Sequence, residues 1–342
     1  MQVILTLLVL LCLALPTLAA PPHYRVTDIG PAFDRFGERV SVNNKGQVTG
    51  TSLVSDAGHH VSGNIPTCAF LWQHGRRTLI SPTSGFSATY VGAINDSGQI
   101  AGTLNDTTDG ATLVIDNHAF LWESGKMQNL GDDAPFAVTT GEAINNQGEI
   151  VGSAKGSARP VEDDDRLTEP HAFLYSHGAI RDLGQGAAYG INDKGQIAGE
   201  IEFEATLWQN GQAQDLGISG RAVAINNQGS ILIRKNDRTP VSVSYLWENG
   251  ASHPLLLFSK TSHCTAKAIN DRGQIVGGSQ VRDFQGLCAL LWQGGRVYDL
   301  NKFIPAKLGW TLDGATGINN KGQIVGYGTF HGQDHAFLLT PR

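Results

Sequence analysis

The sequence of 342 residues is poor in charge: only 16% of it is Asp, Glu, Lys or Arg, and the formal net charge is −6. It holds no run of Lys or Arg that would track a phosphate backbone, which argues against nucleic acid as the main partner. Cysteine is scarce too, with 4 in the chain. Cys12 lies in an apolar N-terminal run, which leaves Cys68, Cys264 and Cys288. An odd set excludes a fully paired disulfide framework, and a whole predicted strand separates Cys264 from Cys288, so no bridge between them is expected. Stability must come mainly from apolar burial. Beyond residue 20 no apolar stretch is long enough to cross a bilayer. Nucleophile elbows, phosphate loops and zinc motifs are missing as well, although a catalytic site gathered from several repeats would leave no local motif.

What the chain does have is glycine, 42 residues of it, with 13 prolines. So many turn formers with so few charges point to many short strands. Residues 1–20, MQVILTLLVLLCLALPTLAA, form an apolar run ending in small residues and read as a secretory signal peptide. Cleavage is expected after Ala19, because Pro21 disfavours a cut after Ala20. No Lys or Arg precedes the run, and an uncleaved anchor is the alternative. Cys12 follows VLL without the small residue that lipidation needs. Residues 21–342 are then expected to form one exported domain, a monomer with no membrane span.

One nine-residue motif dominates that domain. It reads VNNKGQVTG from Val42, INDSGQIAG from Ile94, INNQGEIVG from Ile144, INDKGQIAG from Ile191, INNQGSILI from Ile225, INDRGQIVG from Ile269 and INNKGQIVG from Ile318. Its asparagines, Asn43, Asn95, Asn145, Asn192, Asn226, Asn270 and Asn319, are separated by 52, 50, 47, 34, 44 and 49 residues. Such a period signals stacked supersecondary units. Each unit reads as four strands, a to d. Asn with Asp or Asn, then one residue and a Gly, makes a tight bulged hairpin between a and b. QHG, ESG, SHG, QNG, ENG and QGG are expected to repeat that hairpin between c and d.

Four antiparallel strands per unit suit a propeller blade. A small residue precedes the motif Ile or Val every time (Ser41, Ala93, Ala143, Gly190, Ala224, Ala268 and Gly317), as expected where inner strands converge. The c strands, CAFLW, HAFLW, HAFLY, EATLW, SYLW, CALLW and HAFLL, are nearly continuous apolar runs, as expected when both sheet faces are buried. YRVTDIG, from Tyr24, looks like a d strand, and the C-terminal HAFLLTPR is a c strand without one. The predicted fold is all-β: a seven-bladed β-propeller of four-stranded antiparallel blades, closed by the N-terminal strand completing the last blade.

The motifs carry a resemblance. His118, His171 and His335, each followed by Ala and Phe, together with the IND.GQI.G signature, resemble the HAF-repeat family of extracellular repeat proteins, over residues 21–342. The likeness lapses where Cys68, Glu204, Val243 and Cys288 replace His, and where Ile233 replaces the closing Gly. The resemblance implies export and a repeat fold; it supplies no catalytic residues.

The length variation falls on the b–c and d–a connections, which share one face of the predicted disc, and long loops on a rigid scaffold are where recognition resides. Trp310, outside the repeat register, and Phe86 are candidate ligand contacts there. Arg39, Glu142 and Lys267 precede the small inner-strand position and are candidates at a channel mouth, with solvated strand starts as the plain alternative. The tryptophans Trp72, Trp122, Trp208, Trp247 and Trp292 recur in strand c and read as packing residues. The repeated His reads as structural, being too far from its counterparts to share an ion. His59 and His60 beside Asp56, and the acidic run Glu162 to Asp165, read as solvated loop. No metal and no cofactor are expected. The leading function is therefore an exported binding module for an extracellular or envelope glycan, peptide or protein, with no catalytic residues assigned. The alternatives are a non-catalytic surface or periplasmic scaffold, and a hydrolase or lyase using channel-mouth residues. Converging Asp, Glu and His would favour the enzyme, a groove carrying Trp310 and Phe86 the binder, and a face without concavity the scaffold.

Overall fold

The computed structural model describes residues 23–31, 40–53, 67–106, 116–131, 136–156, 169–235, 243–259, 262–281 and 287–342. Among the described residues it is all-β, broken only by 3-10 turns at Leu300–Phe303 and Ala306–Leu308. Every described strand pair is antiparallel; the first six motif-bearing units supply strands in the order a, b, c, d, whereas the seventh supplies a, b and c and takes its fourth strand from the first described strand. Five sheets have four strands. The sixth has seven, because the 14-residue strand Gln212–Ile225 serves both as d of the fourth unit and as a of the fifth. Strand Tyr24–Pro31 pairs with Gln333–Pro341, placing the first described strand beside the last. No helix among the described residues is long and apolar enough to cross a membrane.

The motif makes the expected hairpin. Asn43 Oδ1 accepts from the backbone N–H of Lys45 and of Gln47, both at 3.0 Å, and Gly46 takes the left-handed conformation at φ 79°. The c–d turns differ from expectation. They are two-residue loops such as His74–Gly75, with φ of 51° and 77°, between the paired Gln73 and Arg76. A two-residue loop with both φ positive matches the right-handed twist of its strands, so no bulge is needed.

The same asparagines join unit to unit. Asn43 Nδ2 donates to the Asn95 carbonyl at 2.8 Å, and the relation repeats through Asn145, Asn192, Asn226, Asn270 and Asn319. Asn319 Nδ2 then donates to the Asn43 carbonyl at 2.8 Å, so the run of bonds returns to its start. The next motif residue repeats the pattern with the other polarity. The Asn44 N–H donates to Asp96 Oδ1 at 2.7 Å, and onward by way of Asn146, Asp193, Asn227 and Asp271 to Asn320, whose N–H donates to Asn44 Oδ1 at 2.8 Å. All seven first-position asparagines are buried, so each side chain satisfies backbone groups that would otherwise be costly to bury.

The core sits between neighbouring sheets. Phe70, Phe120, Phe173 and Phe337, the Phe of the c strands, are at most 1% exposed. The recurrent tryptophans pack into the same layers, as predicted. The histidines of the c strands bond the adjacent d strand and not a loop. His171 and His335 contact Asp182 and Asp28 at 2.9 and 2.8 Å, and His118 contacts Asn129. These carboxylates and this amide also accept from the N–H of Gly184, Gly30 and Gly131, which ties HAF to the Asp-Leu-Gly-type end of strand d. Cys68, Cys264 and Cys288 are buried and form no disulfide among the described residues.

Candidate functional site

Six inner strands carry a β-bulge at one shared position. In Ala88–Ile94, Val91 pairs with Gly102 and Ala93 with Ala101, so Gly92 is left over. The residues skipped in the same way are Glu142, Tyr189, Val223, Lys267 and Thr316. In the first unit, Val40 stands at the equivalent place, just before the short strand Ser41–Val42. A bulge re-aims a side chain out of the regular alternation. Here all seven residues line one cavity of ≈ 530 Å³ together with the small residues beside them, a volume within the range of small-molecule sites.

The closing Gly of the motif makes room for this arrangement. A Cβ on Gly152 would lie 1.7 Å from the Thr140 carbonyl oxygen, and one on Gly102 would lie 2.2 Å from that of Tyr90. The bent inner strand presses its carbonyl against the b strand where only hydrogen fits. The fifth unit keeps its bulge with Ile233 at this place, and nothing in the structure explains that exception.

Charge in the cavity is uneven around its wall. The third to sixth units contribute Glu142, Tyr189, Arg221, Arg234 and Lys267, whereas the seventh, first and second offer Thr316, Val40 and Gly92. Arg221 and Arg234 face one another in register across strands Gln212–Ile225 and Ile231–Lys235. Behind the wall lies Glu200, only 8% exposed. Tyr189 donates its phenol hydrogen to Glu200 Oε1 at 2.5 Å, and Arg221 Nε donates to the same carboxylate at 3.1 Å. The Arg221 guanidinium carbon sits 5.9 Å from the Tyr189 ring centroid. Burial, then the hydrogen bond to Glu200 and its charge, push the Tyr189 phenol well above its usual range, with a smaller push from Glu142 against the pull of Arg221. The phenol therefore stays a proton donor.

Of the residues singled out from sequence, Glu142 and Lys267 share this cavity. Arg39, the signal segment, His59, His60 and the run from Glu162 to Asp165 lie outside the described residues. Trp310 and Phe86 are elsewhere. Trp310 opens strand Trp310–Ile318, stacks on Phe330 at 4.7 Å and meets Phe337 edge-on at 6.1 Å. Phe86 lies 5.3 Å from His118 and packs on a core cluster. Neither is among the residues that line the cavity. Sequence reasoning missed Tyr189, Glu200, Arg221 and Arg234. The single available signal was that Tyr189 occupies the column of Glu142 and Lys267. Among the described residues, no group of three or more His, Cys, Asp or Glu could hold a metal ion.

No known family model matches the sequence, and neither does any curated protein. Solved structures are similar in fold. The β-propeller domain of the Trilobed protease from Pyrococcus furiosus matches with a TM-score of 0.56 at 12% identity, over 90% of this chain and 94% of its own. Virginiamycin B lyase from Staphylococcus aureus matches with 0.53 at 10%, over 93% and 100%. The acylaminoacyl peptidase of Pyrococcus horikoshii matches with 0.51 at 12%, over 88% of this chain, which spans about half (52%) of that longer protein. At such identities the likeness carries the fold alone: the chain has a β-propeller-type architecture.

Proposed function

We propose that the chain is an exported binding module, one closed seven-bladed propeller over residues 21–342, whose ligand sits in the shared cavity and enters from the b–c and d–a face. The bonds that run through the seven motif asparagines back to Asn43 support closure, as does the pairing of Tyr24–Pro31 with the last strand. The observation that carries the binding reading is the repeated bulge. A fold that needed only stability would gain nothing from extra residues aimed into an open space, four of which, Glu142, Tyr189, Lys267 and Thr316, are polar. Concavity speaks against the scaffold. Partner chemistry follows the cavity: a small molecule, or the end of an envelope or extracellular glycan, fits it better than a broad protein surface.

The test is a glycan and small-molecule array probed with the secreted protein, with the double variant Glu142→Ala/Lys267→Ala, and with Trp310→Ala/Phe86→Ala. Binding is expected to vanish in the first variant and to persist in the second, with folding checked by circular dichroism. Undiminished binding by the cavity variant would move the site away from the bulge residues.

A further inference from the structure

From the geometry around Arg221 we infer that the cavity is a carboxylate site, specific for a sugar acid, either free or at the end of a glycan. The inference rests on the binding reading above and adds the ligand's chemical class. Arg221 is half-exposed, and its Nε is held by the buried Glu200 carboxylate at 3.1 Å. Tyr189 donates to the other side of that carboxylate and lies beside the guanidinium. Nε is thus committed, while among the described residues the two Nη nitrogens have no acceptor. A guanidinium fixed in this way presents a planar pair of donors, and that geometry matches a carboxylate bidentately. Because orientation is set before the ligand arrives, little is lost in ordering the side chain.

Charge decides between classes of ligand. Among the described residues, the cavity and the carboxylate behind it hold Arg221, Arg234 and Lys267 against Glu142 and Glu200, an excess of one positive charge. A monoanion gains from that excess, whereas a zwitterionic amino acid or a neutral sugar does not. Among the described residues the opposite wall, with Val40, Gly92 and Thr316, carries no charge and accommodates an uncharged body. Glu142 and the hydroxyl of Thr316 offer acceptors for ring hydroxyls, since Thr316 spends its own hydrogen on the Val40 carbonyl at 2.7 Å. The described connections nearest Arg221 are short. The fourth unit joins b to c through Glu202 and Phe203 alone, and its d strand runs without a break into the next a strand. A chain end can therefore reach the guanidinium from that side.

Isothermal titration of the secreted protein with glucuronate, galacturonate and an oligogalacturonate, beside methyl glucoside, methyl galactoside, glycine and inorganic phosphate, tests this. The uronates are expected to bind at least tenfold more tightly than the neutral sugars, glycine or phosphate. Preference for the oligomer over the monomers marks a chain end as the source, and the reverse marks the free acid; either outcome supports the carboxylate site. Arg221→Gln should weaken uronate at least tenfold, and Arg221→Lys, which keeps the charge without the fork, should weaken it nearly as much. Unchanged near-ultraviolet circular dichroism in the lysine variant separates that loss from misfolding. Neutral sugars bound as tightly as uronates, with loss in Glu142→Ala/Lys267→Ala, would overturn the ligand class and leave the site standing. Uronate affinity untouched by both Arg221 variants and by that double variant would overturn both.

Discussion

Replacing Asn145 by Ala tests the idea that the motif asparagines bind the units to one another. Asn145 is 3% exposed. Its Nδ2 donates to the Asn192 carbonyl at 3.2 Å and to Glu149 Oε2 at 2.7 Å. Its Oδ1 accepts from the N–H of Gln147 at 3.1 Å and of Glu149 at 2.9 Å. Alanine removes all four bonds. Loss of the two backbone bonds costs about 1 kcal/mol each, and loss of the bond to the Asn192 carbonyl, which still accepts from the N–H of Gly195 at 3.1 Å, adds about 1 kcal/mol more. Glu149 loses less, because Ser176 Oγ still donates to its other oxygen. The sum is about 3 kcal/mol, a sizeable share of the stability of a typical domain. Equilibrium urea unfolding followed by tryptophan fluorescence measures it. Asn145→Asp keeps the acceptor but loses the donor and faces the Asn192 carbonyl with a charge. It should be at least as damaging at neutral pH and should recover in part as acid protonates the new carboxyl. A loss below about 1 kcal/mol in the alanine variant would refute the reasoning, since neither the turn bonds nor the link to the next unit could then matter.

Three further outcomes are expected. Gly152→Ala, whose Cβ would lie 1.7 Å from the Thr140 carbonyl oxygen, should cost about 1–3 kcal/mol or more, read by the same unfolding assay. Removing residues Tyr24–Pro31 strips the partner of strand Gln333–Pro341 and the carboxylate of Asp28 from His335; the thermal midpoint should fall sharply, and an unchanged midpoint would deny the strand its closing role. Tyr24, buried under the last sheet, has its phenol pushed up to about 12 by burial, against a smaller pull from Arg272. Below pH 10 this group leaves stability unaffected, and between pH 10 and 12 stability should fall as the unfolded chain ionises first. Absorbance titration at alkaline pH should show Tyr24→Phe abolishing that part of the loss.

Much of the architecture could be read from the sequence because it is written in repeats. The asparagine hairpins, the small inner-strand residues and the Phe-rich c strands each recur in register, and a recurring residue signals a recurring environment. The site is different, because it resides in the column that does not repeat. Val40, Gly92, Glu142, Tyr189, Val223, Lys267 and Thr316 have no common chemistry, so only their position in the bulge unites them, and a bulge is a fact of pairing that no single strand reveals. Glu142 and Lys267 stood out through charge. Arg221 lies three residues before Ala224, and its partner Glu200 belongs to the preceding unit, so their meeting is tertiary. Trp310 misled because its place outside the register suggested a loop. The chain instead starts a strand there, and the indole finds Phe330 on the paired strand.

The second motif position has a further consequence. Going round from Asn44, amide and carboxylate alternate through Asp96, Asn146, Asp193, Asn227 and Asp271 to Asn320, and each carboxylate is flanked by amides. Alternation cannot be completed with an odd count, so one like pair is forced, and it falls where Asn320 meets Asn44. An amide tolerates its own kind, having both donor and acceptor, whereas two carboxylates there would repel with no hydrogen to share. Gaining or losing a single unit would therefore change the parity of this circuit, which constrains how such a chain can grow.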